Sequence, residues 1–159
     1  MATLQEAVDQ FLAQKRIAVM GVSRDSRQPA NSIYNKLKNG GYEVFPVNPN
    51  ADEVEGVPCY HDIASIPDGV NAVFIATHPQ VTKNVVEECV NLGIKHIWMH
   101  RSIGEGSVDE GAVVYGRENG ITVIDGGCPM MFVPPVDFGH KCMKWFFSWT
   151  GSVPKEVPV

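Results

Sequence analysis

The 159-residue sequence is short of positive charge: 13 Lys and Arg stand against 18 Asp and Glu, a net charge of −5. Proteins that track a nucleic-acid backbone carry the opposite balance, so a general nucleic-acid-binding role is set aside and only a local basic patch stays open. Long apolar runs are missing too. No stretch approaches the ~20 consecutive apolar residues of a membrane-spanning helix. The opening Met1-Ala2-Thr3-Leu4-Gln5-Glu6 has no basic segment leading into an apolar one and does not read as a signal peptide. Cysteine is sparse. Cys59, Cys89, Cys128 and Cys142 form no CxxC pair, which removes the zinc-knuckle and thioredoxin patterns. The expectation is reduced thiols and a cytoplasmic location. Two nucleotide signatures are absent as well. No GK[ST] occurs, and Gly21-Val22-Ser23 lacks the second and third glycines of GxGxxG.

What is present is an ordinary globular composition, 44% hydrophobic and 19% charged, at a length suited to one domain. Apolar residues at 4, 7, 8, 11 and 12 have helical spacing and predict a leader helix. Short apolar runs at 17–20, 43–47, 70–76, 95–99 and 121–124 read as strands, with Pro46 interrupting the second. Helical patterns fall between them at 30–39, 79–92 and 107–119. Val81, Val85, Val86, Cys89 and Leu92 trace one face of the middle helix. A short helical turn is expected near 62–66. This alternation predicts a Rossmann-like α/β fold: a doubly wound, parallel five-stranded sheet with helices on both faces.

In such a sheet, ligands sit beyond the carboxyl ends of the strands. Those ends are 21–29, 48–50, 77–79, 100–104 and 125–131, and they should converge on one rim. In the first, Gly21 lets the backbone approach a ligand, and the helix that follows offers free N–H groups to a phosphate. Ser23 adds a hydroxyl, and Arg24 and Arg27 add guanidinium groups. The second strand ends in Asn48-Pro49-Asn50, where dinucleotide enzymes carry an acidic residue for the ribose. This counts against NAD.

Gly21-Val22-Ser23, Pro46-Val47-Asn48-Pro49, a Trp-bearing fourth strand and a terminal Gly-x-Cys-Pro-type turn occur in that order. Over about residues 10–132 the chain resembles the small CoA-binding-domain proteins of bacteria and archaea. It is more distantly similar to the CoA-binding domain of the succinyl-CoA synthetase alpha subunit. The resemblance implies that Gly21, Val22, Ser23 and Arg24 hold a diphosphate and that Asn48 and Pro49 line the adenosine side. It also implies that Thr77, His78 and Pro79 form another wall, and that Cys128 and Pro129 lie toward the pantetheine arm. The family's basic residue after Asn-Pro, suited to the ribose 3′-phosphate, is Asn50 here, which leaves Arg27 or Lys36 for that role. After the fourth strand, His100-Arg101-Ser102 replaces a glutamine-containing segment.

Cys128 as a nucleophile needs a nearby base or a lowered pKa, and a pocket-lining thiol is the simpler reading. His61, His78, His96, His100 and His140 are scattered without a ligand motif, so no metal is expected. The chain is divided into a CoA-binding domain over 1–135 and an aromatic helix with an extended tail over 136–159. The tail is expected to pack on the same domain or on a partner, with a homodimer as one possibility. Two lysines, Lys141 and Lys144, are few for a membrane-surface helix. The functional expectation is a non-catalytic protein that binds CoA or acyl-CoA. The alternatives are an enzyme acting on CoA thioesters and an NAD(P)-dependent oxidoreductase.

Overall fold

A computed structural model describes residues 1–101, 106–151 and 153–159. The chain opens with β1 (Ala2–Thr3) and α1 (Leu4–Ala13). A capping box starts α1: the Thr3 hydroxyl accepts from the Glu6 N–H at 3.3 Å, and the Glu6 carboxylate accepts from the Thr3 N–H at 2.7 Å. β2 (Arg16–Met20), α2 (Pro29–Asn39) and β3 (Glu43–Val47) follow. A small hairpin, β4 (Glu53–Val54) and β5 (Val57–Pro58), was not anticipated from sequence. Its turn holds Glu55 at φ +50° and Gly56 at φ +72°, the left-handed pair that a two-residue hairpin requires. Then come β6 (Ala72–Ile75), α3 (Pro79–Asn91), β7 (His96–Met99), α4 (Glu110–Glu118) and β8 (Thr122–Ile124). A 3₁₀ turn at Pro129–Met131, α5 (Phe138–Thr150) and β9 (Glu156–Val157) complete the chain.

The main sheet has the order β3-β2-β6-β7-β8, and all four pairings are parallel. The chain therefore starts in the middle, moves outward to β3, and returns across β2 to build β6, β7 and β8. That reversal opens a crevice between β2 and β6. Ile17–Val19 and all of β6 are fully buried, as strands covered on both faces must be. Pro46 does not break β3, because β3 is the outer strand of the sheet. Its carbonyl accepts from the Tyr60 N–H, so the 59–60 segment covers that edge. The region near 62–66 is a turn closed by the Ile66 N–H on the Ile63 carbonyl, not a helix.

Two apolar layers enclose the sheet. One joins α1 and α2 to Phe74, Trp98 and Met131; the other joins α3 and α4 to Val73, Ile75, Ile97 and Val123. Val85, Val86 and Cys89 of α3 are buried as expected. Val81 and Leu92 are not, with 44% and 46% exposure. Both sit at the ends of the helix, where the apolar stripe runs past the sheet. The chain ends meet: β1 and β9 pair antiparallel, Ala2 opposite Val157.

Trp98 anchors the first layer. It is fully buried and makes edge contacts with Phe11, Phe74 and Phe132 at 5.5, 5.8 and 5.7 Å between ring centroids. Its indole N–H donates to the Gly126 carbonyl at 2.7 Å, which ties β7 to the loop after β8. Trp98→Phe removes that bond and opens a void. The expected cost is about 2–3 kcal/mol, read as a lower urea midpoint with an unchanged slope.

Candidate functional site

The strand ends meet around a cleft of about 650 Å³. Met20 and Gly21 end β2 on one side, and Ala76 and Thr77 follow β6 on the other. Gln28, Pro29 and Ala30 present the amino end of α2. No side chain caps that end, so its positive dipole end is offered to the cleft. Asn48, Pro49 and Asn50 form the wall beyond β3, and His78 stands at the start of α3.

Gly21 is at φ +96°, and a Cβ there would lie 2.6 Å from the Ala76 carbonyl oxygen. The sequence suggested that this glycine makes room for a ligand. Its stricter duty is to let the chain leave β2 against the end of β6. The loop beyond it is held by Asn31, which is fully buried. The Asn31 side-chain oxygen accepts from the Ser23 N–H at 2.8 Å, and its NH₂ donates to the Ser23 carbonyl at 2.7 Å and to Glu55 at 2.6 Å. Asn35 also donates to Glu55, at 3.1 Å. These side-chain amides hold the Glu55 carboxyl below its ordinary pKa. Ser23 Oγ accepts from the Asp25 N–H at 3.0 Å, which leaves its proton to donate elsewhere. Asn48 braces the loop from β3: its NH₂ donates to the Val22 carbonyl and its oxygen accepts from the Asn50 N–H, both at 2.9 Å.

Gly21, Ser23, Asn48, Pro49, Asn50, Thr77 and His78 thus line one cleft. Val22 is buried beneath it, and Pro79 is the first residue of α3 rather than a wall. Arg24 is exposed and does not line the cleft. Arg27 grips Asp25 through two bonds of 2.9 and 3.0 Å, and Lys36 donates to the Pro135 carbonyl. No Lys or Arg lines the cleft among the described residues. Of the segment 100–104, residues 102–104 lie outside the described residues.

Cys128 and Pro129 are buried away from the cleft. Cys128 lines a second recess of about 270 Å³ that shares Pro29 and His100 with the first. Burial pushes the Cys128 thiol up to about 11, so it stays protonated at neutral pH and is a poor nucleophile. Burial also lowers the pKa of His100, which makes the neutral ring, with one donor and one acceptor, its working form. Among the described residues, no group of three His, Cys, Asp or Glu is placed to hold a metal ion.

Sequence reasoning missed Asn31 and the α3 face of the cleft. Val81, Asn84, Val85 and Glu88 line it at i, i+3, i+4 and i+7. The readable signal was polar Asn84 and Glu88 sharing a stripe with valines. Glu88 also accepts from the Ile63 and Ala64 N–H groups. For Asn31 the signal was an amide beside the inward positions Ile33 and Tyr34. Thr77 carries the sharpest clue of all: its hydroxyl is buried at the rim and has no hydrogen-bond partner among the described residues.

A five-stranded parallel sheet with a glycine turn and an uncapped helix end at its switch point defines a Rossmann-like nucleotide-binding fold. Residues 15–134 match the CoA binding domain family model, and the chain belongs to that family. It is 40% identical over 83 residues to the ADP-forming acetate–CoA ligase II of Archaeoglobus fulgidus, a match covering 51% of this chain and 12% of that enzyme. It is 30% identical over 114 residues to the uncharacterized protein YneT of Bacillus subtilis, covering 72% of this chain and 82% of that one. A hypothetical protein from Pyrococcus horikoshii superposes with a TM-score of 0.71 at 26% identity, over 80% of this chain and 91% of that one. An acetyl-coenzyme A synthetase from Candidatus Korarchaeum cryptofilum superposes with a TM-score of 0.60 at 28% identity, over 69% of this chain and 25% of that one. The chain thus spans a small part of the ligases it matches and most of the small proteins.

Asn31→Ala breaks the clamp on Ser23. The expected result is a stability loss of about 2–3 kcal/mol and faster hydrogen exchange of the Ser23 amide, while amides of β6 and β7 keep their rank order of protection.

Proposed function

We propose that this protein binds coenzyme A, or a CoA thioester, at the β2–β6 crevice without itself catalysing a reaction. Membership of the CoA binding domain family supports the ligand class. The observation that carries the reading is the unpartnered Thr77 hydroxyl, buried beside the uncapped end of α2 and the Gly21 turn. A buried hydroxyl without a partner is costly, and an anionic ligand supplies the missing acceptor. In this reading Gly21, Val22 and Ser23 shape the diphosphate seat, and Arg24 approaches it from outside. Asn48, Pro49 and Asn50 face the adenosine, Thr77 and His78 close the other side with Pro79 behind them at the start of α3, and Cys128 and Pro129 lie toward the thiol end. The NAD(P) alternative is weaker, because Asn48 spends its side chain on Val22 and Asn50 and no carboxylate replaces it for the ribose. No helix of the described residues is long and apolar enough to cross a membrane. We place the protein in the cytoplasm on the sequence argument.

The outward face of α5 supports a second copy of the chain as a partner. Phe138, Cys142, Trp145 and Trp149 fall at i, i+4, i+7 and i+11, the spacing of a helix–helix seam. The three aromatics are 82%, 72% and 77% exposed, and the two indoles stack at 6.4 Å. With Phe146 they offer on the order of 600 Å² per copy; a stable interface takes about 800 Å² per partner, rim included. Lys144 turns inward, over the Phe132 ring and onto Gln5, so of the two lysines of α5 only Lys141 is exposed, too few for the basic flank of a membrane-surface helix. Sedimentation should show a concentration-dependent dimer that Trp145→Glu dissociates. A monomer at all concentrations refutes this part.

Titration calorimetry tests the ligand. CoA is expected to bind and to raise the melting temperature by several degrees, with NAD and NADP inert. Dephospho-CoA should bind within about threefold of CoA, since among the described residues no Lys or Arg lines the cleft for the 3′-phosphate. Thr77→Val should leave the free protein as stable or more so, yet weaken CoA about tenfold. Stabilisation by NAD(P) alone, or by none of these ligands, overturns the proposal.

A further inference from the structure

The recess behind the cleft has walls from four parts of the chain. Ile33 comes from α2, His100 follows β7, Cys128 and Met130 follow β8, and His140 and Met143 come from α5. It adjoins the cleft, since Pro29 and His100 line both. Its lining is mainly apolar and, among the described residues, contains no Lys, Arg, Asp or Glu. α5 lies beyond residues 15–134, so part of this wall is additional to the matched domain.

We infer that this recess receives the acyl end of a CoA thioester and selects short apolar acyl groups over acidic ones. The inference rests on the CoA reading above and names the thioester class within it. Size supports the assignment. A water-sized group takes about 30 Å³, so a recess of about 270 Å³ holds a thioester with roughly four to six acyl carbons. Chemistry supports it too. Two methionines give an adaptable apolar wall suited to an alkyl chain. His100, neutral because burial disfavours its charge, stands at the doorway with one donor and one acceptor for the amide and thioester groups that pass it. An acidic acyl group is disfavoured. His140 on the α5 wall is already bonded to the Asp137 carboxylate and is not free to receive a second one, and among the described residues no Lys or Arg lines the recess in its place.

The test is calorimetry on the whole protein with CoA, acetyl-, butyryl-, octanoyl- and succinyl-CoA. Each buried methylene tightens binding about fourfold. Butyryl-CoA, with two methylenes more than acetyl-CoA, is therefore expected to bind about sixteenfold tighter than acetyl-CoA and tighter still than CoA, and succinyl-CoA no tighter than CoA. Met143→Trp fills the recess and should erase the butyryl gain while CoA stays within about twofold. Met143→Ala should move the optimum toward octanoyl-CoA. CoA and butyryl-CoA binding alike overturns the inference and leaves the CoA reading intact. So does a butyryl gain that survives in folded Met143→Trp, or, where that variant does not fold, an optimum that Met143→Ala leaves unmoved. Failure of CoA and every thioester to bind overturns both.

Discussion

At the end of β2 the main chain passes so close to the end of β6 that a side chain on Gly21 would strike the Ala76 carbonyl. Much of the site depends on that approach. It sets where the loop leaves the sheet. A parallel sheet that reverses its building direction opens a crevice at the switch point. Here the end of β2 can pass against Ala76 because one residue lacks a Cβ.

The loop beyond Gly21 is fixed by polar groups rather than by apolar contact. Asn31 satisfies both backbone groups of Ser23 and reaches across to Glu55 on the β4–β5 hairpin. Asn48 does the same for Val22 and Asn50. Such bonds hold a backbone in one shape in the absence of ligand, which limits the ordering cost of binding. The uncapped helix end and the Thr77 hydroxyl are left without protein partners of this kind. The site is thus rigid in its frame and incomplete in its donors.

α5 has two faces with different surroundings. Its inner side places Met143, Lys144 and Phe147 against the domain, with Lys144 over the Phe132 ring. Its outer side carries exposed Phe138, Trp145 and Trp149. The neighbouring β1–β9 pairing brings the two ends of the chain together. A segment outside the matched domain therefore shapes both a cavity wall and the largest aromatic surface on the described molecule.

The parallel α/β architecture was legible because buried strands read as continuous apolar runs and helices as 3.6-residue stripes, both local properties of the chain. The strand ends, and with them Gly21, Ser23, Asn48 and Thr77, followed from that alternation. Which charges face the cleft did not follow. Arg27 and Lys36 looked like phosphate ligands because they lie near the loop in sequence, but Asp25 and the Pro135 carbonyl hold them elsewhere. Asn31 looked like an ordinary helix residue until Ser23 and Glu55 were brought beside it from 8 and 24 positions away. The family and the fold were written in patterns that each segment carries alone. The partners of each polar group, and the meeting of α5 with Cys128 at one recess, were decided only when distant segments packed together, because hydrogen bonds and cavities are properties of pairs of segments and not of one.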